Sequence, residues 1–174
     1  MIILVGESGS GKDTLMNKVV ELTALNPVIS YTTRPMRVGE VEGIAYHFIT
    51  KEEFSRKDSE GFFIEKSGYR GWLYGMAKKD CNDKKIVVVD PCGLRSLKRA
   101  GVNTFSFYIK VDERERLIRL ANRGDDVTEL CRRIISDRDT FRGIEDEVDG
   151  TIENYDINVS AFNIITRLER WMVL

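Results

Sequence analysis

The chain opens on five consecutive apolar residues, Met1-Ile2-Ile3-Leu4-Val5, the pattern of a strand covered on both faces. After a glycine-rich break, Leu15, Val19, Val20 and Leu22 recur at helical spacing, and Asn26-Pro27 ends that element. Val28-Ile29 is then expected as a short second strand that carries Ser30. The pattern next shifts to Tyr46-His47-Phe48-Ile49, Phe62-Phe63-Ile64-Glu65 and Trp72-Leu73-Tyr74, aromatic segments alternating with glycines, as short antiparallel strands do. Between the first two, Thr50 with Glu53 predicts a capping box and a short helix. The β-branched run from Lys84 to Asp90 predicts a central, fully covered strand. A helix over Leu94–Ala100 should stop at Gly101, and Thr104–Ile109 should form the next strand. Asp112 with Glu115 caps a helix that turns Leu117, Leu120 and Ala121 inward until Gly124, and a second charged helix runs from about Val127 to Phe141. Thr151-Ile152-Glu153 reads as a last strand, and Ile164, Ile165, Leu168 and Trp171 form one stripe of a closing helix. Strands separated by helices imply an α/β fold with a central parallel sheet, interrupted by a small mixed insert.

Composition narrows the partners. The 174 residues suit one domain with a sizeable core, and 27 basic against 28 acidic side chains leave a net charge of −1. No global field therefore draws nucleic acid or an anionic membrane, and any anion site must be local. No apolar run approaches the ~20 residues of a membrane span, and a strand expected from Met1 onward leaves no place for a signal peptide. Cys81, Cys92 and Cys131 are odd in number and widely spaced, which argues against a disulfide framework or a zinc site and for a reducing, cytoplasmic setting.

The glycine-rich break carries chemistry. Gly6-Glu7-Ser8-Gly9-Ser10-Gly11-Lys12-Asp13-Thr14 has the Gly-x-x-x-x-Gly-Lys spacing of a P-loop, between an apolar strand and an amphipathic helix. In that context backbone N–H groups turn inward around phosphate oxygens, the helix presents its positive N-terminus, and Lys12 reaches the β and γ phosphates. All nine residues are candidates for binding a nucleoside triphosphate. The residue after the lysine is ordinarily Ser or Thr and ligates Mg²⁺, but here it is Asp13, with the hydroxyl moved to Thr14. Asp13 and Thr14 are the candidate metal ligands, Thr14 being the favoured phosphate contact; Asp13 is equally readable as a solvated residue at a helix N-terminus.

Beyond the P-loop, the segment from Ser30-Tyr31-Thr32-Thr33-Arg34-Pro35-Met36-Arg37 to Tyr46-His47-Phe48 closely resembles the monophosphate-binding segment of the guanylate kinase family. The resemblance continues through Phe62–Glu65, Trp72–Gly75, Asp90–Gly93, Arg119–Gly124 and Asp149–Asn154 in the family's order, and so covers almost the whole chain. It implies a P-loop three-layer fold in one domain, with a core of residues 1–30, 80–111 and 143–174, a GMP-binding insert at 31–79 and a helical lid at 112–142. It also implies ATP and GMP as substrates, with Mg²⁺ as cofactor.

The residue roles it implies are chemically coherent. Arg34 and Arg37 offer planar forks of donors that can grip a dianionic monophosphate. Tyr46 and Tyr74 add hydroxyl donors. Glu65 meets the adjacent N1–H and N2–H₂ donors of guanine, where adenine would present an acceptor, with Asp90 and Ser30 completing the base site or, for Asp90, reaching the metal shell; Asp90 also reads as a helix or turn cap. Arg119, Arg123 and Arg133 join Lys12 and Arg34 as catalytic candidates that surround the migrating phosphoryl group, the order of Arg132 and Arg133 being open. Arg138 and Arg142, beside Asp139 and Asp146, read as surface ion pairs, and His47 as a packed strand residue.

Some positions depart from the family's pattern. Met76 stands where Ser or Thr usually touches the base, Glu7 where many relatives have Pro, and Pro91-Cys92 before Gly93; the segment after Arg123 is one residue short. Met76 keeps open a kinase for dGMP or another small phosphate. A non-catalytic protein-binding module of the same fold is the other alternative, against which the intact Gly11-Lys12 and both arginines speak.

Overall fold

The computed structural model describes residues 1–37, 39–69, 71–124 and 126–172; Val38 of the monophosphate motif and Asp125 of the shortened segment lie outside them. The elements run β1 (Ile2–Val5), α1 (Lys12–Leu22), β2 (Asn26–Pro27), β3 (Tyr31–Thr32), β4 (His47–Phe48), α2 (Lys51–Ser59), β5 (Phe63–Tyr69) and β6 (Trp72–Ala77). They continue with β7 (Lys85–Val89), α3 (Pro91–Arg99), β8 (Phe105–Lys110), α4 (Glu113–Asn122), α5 (Val127–Thr140), β9 (Gly150–Glu153) and α6 (Ile157–Met172). Five parallel strands in the order β2-β7-β1-β8-β9 form the main sheet.

Alternation along β1 builds two cores at once. Ile2 and Leu4 pack with Leu15 and Val19 of α1 and Ala161, Ile164 and Leu168 of α6, whereas Met1, Ile3 and Val5 pack with Leu94 and Leu97 of α3 and with Met76. All five opening residues are fully buried. The strand that demanded cover on both faces is therefore the centre of the sheet, and β7, expected there, lies one place off it, between β2 and β1.

The second strand also differs from expectation: it is Asn26–Pro27, paired with Lys85 and Ile86, rather than Val28-Ile29. Proline is tolerated because β2 is an edge strand, where a missing N–H leaves no ladder bond unmade; Asn26 and Val28 supply the donors, to Lys84 O at 2.8 Å and Ile86 O at 2.9 Å.

The insert is a four-stranded sheet, β4-β3-β6-β5. Its β3–β4 pair is parallel, Tyr31 opposite His47, not antiparallel as expected of the aromatic segments. Gly75 of β6 is where Phe63 of β5 presses down: a Cβ there would meet the ring at 2.8 Å. Thr50 caps α2 and Asp112 caps α4, each accepting from the N–H three residues on at 3.0 Å. Helix α3 begins three residues earlier than expected, with Asp90 as its cap and Pro91 at its first position. On α4, Ala121 is exposed instead of inward, and the inner face is made by Leu120 and the buried Arg116. Cys81, Cys92 and Cys131 are free thiols, the last two exposed. Among the described residues no helix is long and apolar enough to cross a membrane.

Candidate active site

Because β1 pairs in parallel with both neighbours, Val5 lies level with Val89 and Tyr108. The loop that leaves Val5 thus sits at the carboxyl ends of three strands, where open α/β sheets bind ligands. Gly9 and Gly11 take φ values of 81° and 78°, which only glycine adopts without strain, and α1 begins at Lys12 with its N-terminus aimed at the loop. A cavity of 390 Å³ opens there, lined by Ser8, Gly9, Gly11, Lys12, Asp13 and Thr14 from the loop and by Arg119, Leu120, Arg123 and Arg133 from the helices opposite. Burial holds the Lys12 ammonium below its usual pKa, with Asp13 and Asp137 opposing that shift.

Three of the nine loop candidates do not face this cavity. Gly6 is packed against Ile109, where a Cβ would lie 2.9 Å from the Ile109 carbonyl oxygen. Ser10 is fully buried and its N–H closes a turn on Glu7 O at 3.1 Å, so it shapes the loop from within. The Glu7 carboxylate points behind the loop, accepting from the Tyr108 hydroxyl at 2.7 Å and pairing with Arg116 at 3.2 Å. Asp13 and Thr14, by contrast, are exposed at the cavity.

The basic helices divide their arginines between two tasks. Arg119 is held by Glu115 at 2.9 Å and by Asn154 O at 2.9 Å. Arg133 donates to Glu129 at 2.8 Å and lines the cavity, while the more exposed Arg132, on the same carboxylate, lines a neighbouring groove. Arg116, one turn before Arg119 on α4, turns inward. Arg138 pairs with Glu113 of α4 at 2.5 Å and 2.8 Å, not with Asp139, which takes Arg142.

A second cavity of 150 Å³ lies between β7 and the insert, lined by Ser30, Tyr46, Glu65, Ser67, Tyr74, Met76 and Asp90 among others. Glu65 is held inside it by β5, and burial together with the charge of Asp90 pushes its carboxyl up to about 7. Asp90 Oδ1 simultaneously accepts from the Gly93 N–H at 2.7 Å, so the cap and the pocket use one side chain. Met76 is 1 % exposed; it closes the pocket floor and brings no hydroxyl. Tyr46 and Tyr74 meet edge to face at 5.9 Å. Asp13, which lines the first cavity, acts electrostatically on Lys12 and also on Tyr46 of the second.

Arg34 is buried, and its fork is already engaged: Nη2 to Glu40 Oε1 at 2.7 Å, Nη1 to Glu40 Oε2 at 3.0 Å and to Pro35 O at 2.8 Å. The fork expected to grip the monophosphate is thus shared with Glu40. A carboxylate six residues on is the nearest anion, so it takes the bidentate face and leaves the remaining donors beside Tyr46, 5.5 Å from the ring centroid, and Tyr74. Arg37 is exposed, with its backbone N–H on Glu40 at 2.7 Å. His47 is tied to Glu42 at 2.9 Å and packs beside Tyr31.

Four contributors escaped the sequence reading. Glu40 had a signal, an acid at short range from two motif arginines. Ser67 had one too, the period of two that puts it on the face of Glu65. Asn154, whose Nδ2 donates to Ser10 O at 2.8 Å, lies in the Asp149–Asn154 stretch of the resemblance but was given no role there, and Asp137, which accepts from the Ser8 N–H at 2.7 Å across more than 120 residues, had no signal.

Comparison with known proteins agrees with this geometry. A model of the guanylate kinase family matches residues 1–171. Curated guanylate kinases from Frankia casuarinae and Fusobacterium nucleatum are each 30% identical to the chain, over 95% and 97% of it and 94% and 95% of their own lengths. The crystal structure of guanylate kinase from Anaplasma phagocytophilum superposes with a TM-score of 0.73 at 25% identity, over 98% of this chain and 84% of that one. With family match, relatives and fold in agreement over nearly the full length, the chain belongs to the guanylate kinase family.

Proposed function

We infer that the protein transfers the γ-phosphoryl group of ATP to GMP, yielding ADP and GDP. One observation carries the reading: a cation-lined cavity at the P-loop and a carboxylate-ended cavity at the insert share the carboxyl edge of the same sheet. ATP would lie with its β and γ phosphates on the loop N–H groups and Lys12, and GMP with its base on Glu65 and its phosphate toward Arg34, Arg37, Tyr46 and Tyr74.

The acceptor oxygen is already ionised, so no protein base is required, and catalysis reduces to alignment and charge. Lys12, Arg119, Arg123 and Arg133 supply positive charge around the equatorial oxygens. The donor set fits Mg²⁺: that ion keeps most of its waters and needs only one or two protein oxygens besides phosphate, and the exposed Asp13 carboxylate and Thr14 hydroxyl provide them. Bound there, Mg²⁺ would neutralise charge across the β and γ phosphates.

A coupled ADP-release assay with ATP, Mg²⁺ and a panel of monophosphates tests the reading. Turnover with GMP, and lower turnover with AMP, is expected; Met76 makes dGMP the comparison to include. No turnover with any nucleotide would overturn it and leave the protein-binding alternative.

Glu65 adds a pH dependence. Guanine's two donors need the ionised carboxylate, and a carboxyl near pKa 7 is ionised in about one molecule in eleven at pH 6 and ten in eleven at pH 8. The KM for GMP should thus fall about tenfold from pH 6 to pH 8. The phosphate of GMP titrates near pH 6 and contributes too, so the control is Glu65→Gln, whose profile should keep only that shallower part.

A further inference from the structure

Behind the donor loop lies a charged cluster that the transfer chemistry does not use. The Arg116 side chain, 3% exposed, sits between two carboxylates from distant parts of the chain, Glu7 at 3.2 Å and Asp137 at 3.6 Å. The same groups hold one loop residue by both of its backbone atoms: Asp137 Oδ2 accepts from the Ser8 N–H at 2.7 Å, and Arg116 Nη1 donates to Ser8 O at 3.2 Å. The backbone of α4 rests on the next residue, where a Cβ on Gly9 would lie 2.8 Å from Arg116 O. Two helices thus fasten the loop from the side opposite β1.

A buried ion cluster contributes little to stability against an apolar equivalent, because desolvation offsets the attraction, and here the buried Arg116 Nε has no partner among the described residues. Its geometric effect is large by comparison. Fixing both the N–H and the C=O of Ser8 sets the plane of the peptides on either side of it, and so the direction from which the Gly9–Lys12 segment starts. A phosphate-binding loop whose donors are already aimed loses less entropy on binding.

We propose that Asp137 is a positioning residue of the donor loop: with Arg116 it locks the Ser8 peptides, so that the following N–H groups stand ready for phosphate. The proposal rests on the reading of the loop as the ATP site. It differs from the simplest alternative, in which the carboxylate merely occupies an N–H that phosphate would otherwise take.

Calorimetric titration of the whole protein with ATP and Mg²⁺, and separately with GMP, decides between them. Asp137→Ala should weaken ATP binding about tenfold, the scale of a charge-assisted hydrogen bond, and leave GMP affinity within about twofold. Asp137→Asn, which keeps an acceptor oxygen for the Ser8 N–H, should recover ATP affinity to within about threefold of the parent protein. An Asp137→Ala protein that binds ATP as tightly as or more tightly than its parent overturns the proposal in favour of simple competition. Equal loss of ATP and GMP binding overturns it in favour of a purely structural role. A parent protein that binds no ATP would instead overturn the functional reading on which the proposal stands.

Discussion

Replacing Lys12 with alanine should lower turnover by about 10³-fold while changing the KM for ATP far less, since a preorganised charge aimed at the transferring group is worth that much in a water-poor site. Lys12 lies at the first turn of α1, and its Nζ also donates to Glu7 O at 3.4 Å. The loop N–H groups and the helix N-terminus survive the substitution and continue to bind the ground-state phosphates. What disappears is the compact ammonium proposed to follow charge from the γ phosphate to the β–γ bridge as the bond breaks. Arginine should not rescue the defect, because its rigid, longer fork replaces a compact ammonium. Single-turnover measurement with saturating ATP and GMP isolates the chemical step. A loss confined to the KM for ATP would mean that Lys12 only binds.

Arg34→Lys should lower kcat/KM for GMP by about 10²-fold, the second largest effect expected, because a lysine cannot satisfy Glu40 bidentately and still present donors to phosphate. The pair is partly enclosed, with Arg34 8% and Glu40 21% exposed at the side chain. Lysine retains the charge, so Glu40 is not left uncompensated and the insert should remain folded. Glu40→Gln is the informative companion. It leaves Arg34 in place with a weaker tether, and if Glu40 acts by orienting Arg34, the KM for GMP should rise with kcat less affected. Equal kinetics in Arg34→Lys and the parent protein would remove Arg34 from the acceptor site.

The parts of this site that were legible in the sequence are those in which function is written locally. Gly6 to Thr14 announces a P-loop because the loop's shape depends on glycines at fixed spacing, and the capping residues Thr50 and Asp112 act on N–H groups three residues away. The five buried residues that open the chain and the stripe of α6 are equally local. What stayed hidden depends on contacts that only the folded chain makes. Nothing near Arg116 says that it will face Glu7 and Asp137 and not the neighbouring arginines, because helical spacing places it on the same stripe as Arg119. The strand at Asn26–Pro27 was hidden for a related reason: a proline argues against a strand until its neighbour on one side is known to be solvent. Aromatic content, which marked β4, is blind to whether that strand pairs parallel or antiparallel with β3.

The crowding of Glu65 and Asp90 has a consequence for the protein without substrate. An unfolded glutamate has its usual pKa of 4.5, whereas the folded one is raised to about 7, so the native state binds the extra proton between those values and loses stability as pH climbs through that window. Above pH 7 the cost reaches about 3 kcal/mol, a sizeable share of the 5–15 kcal/mol that typically holds a domain together. The pocket is therefore a site of frustration in the fold; if guanine's donors meet Glu65 as proposed, nucleotide binding would relieve it, coupling binding and conformational stability through a single carboxyl group.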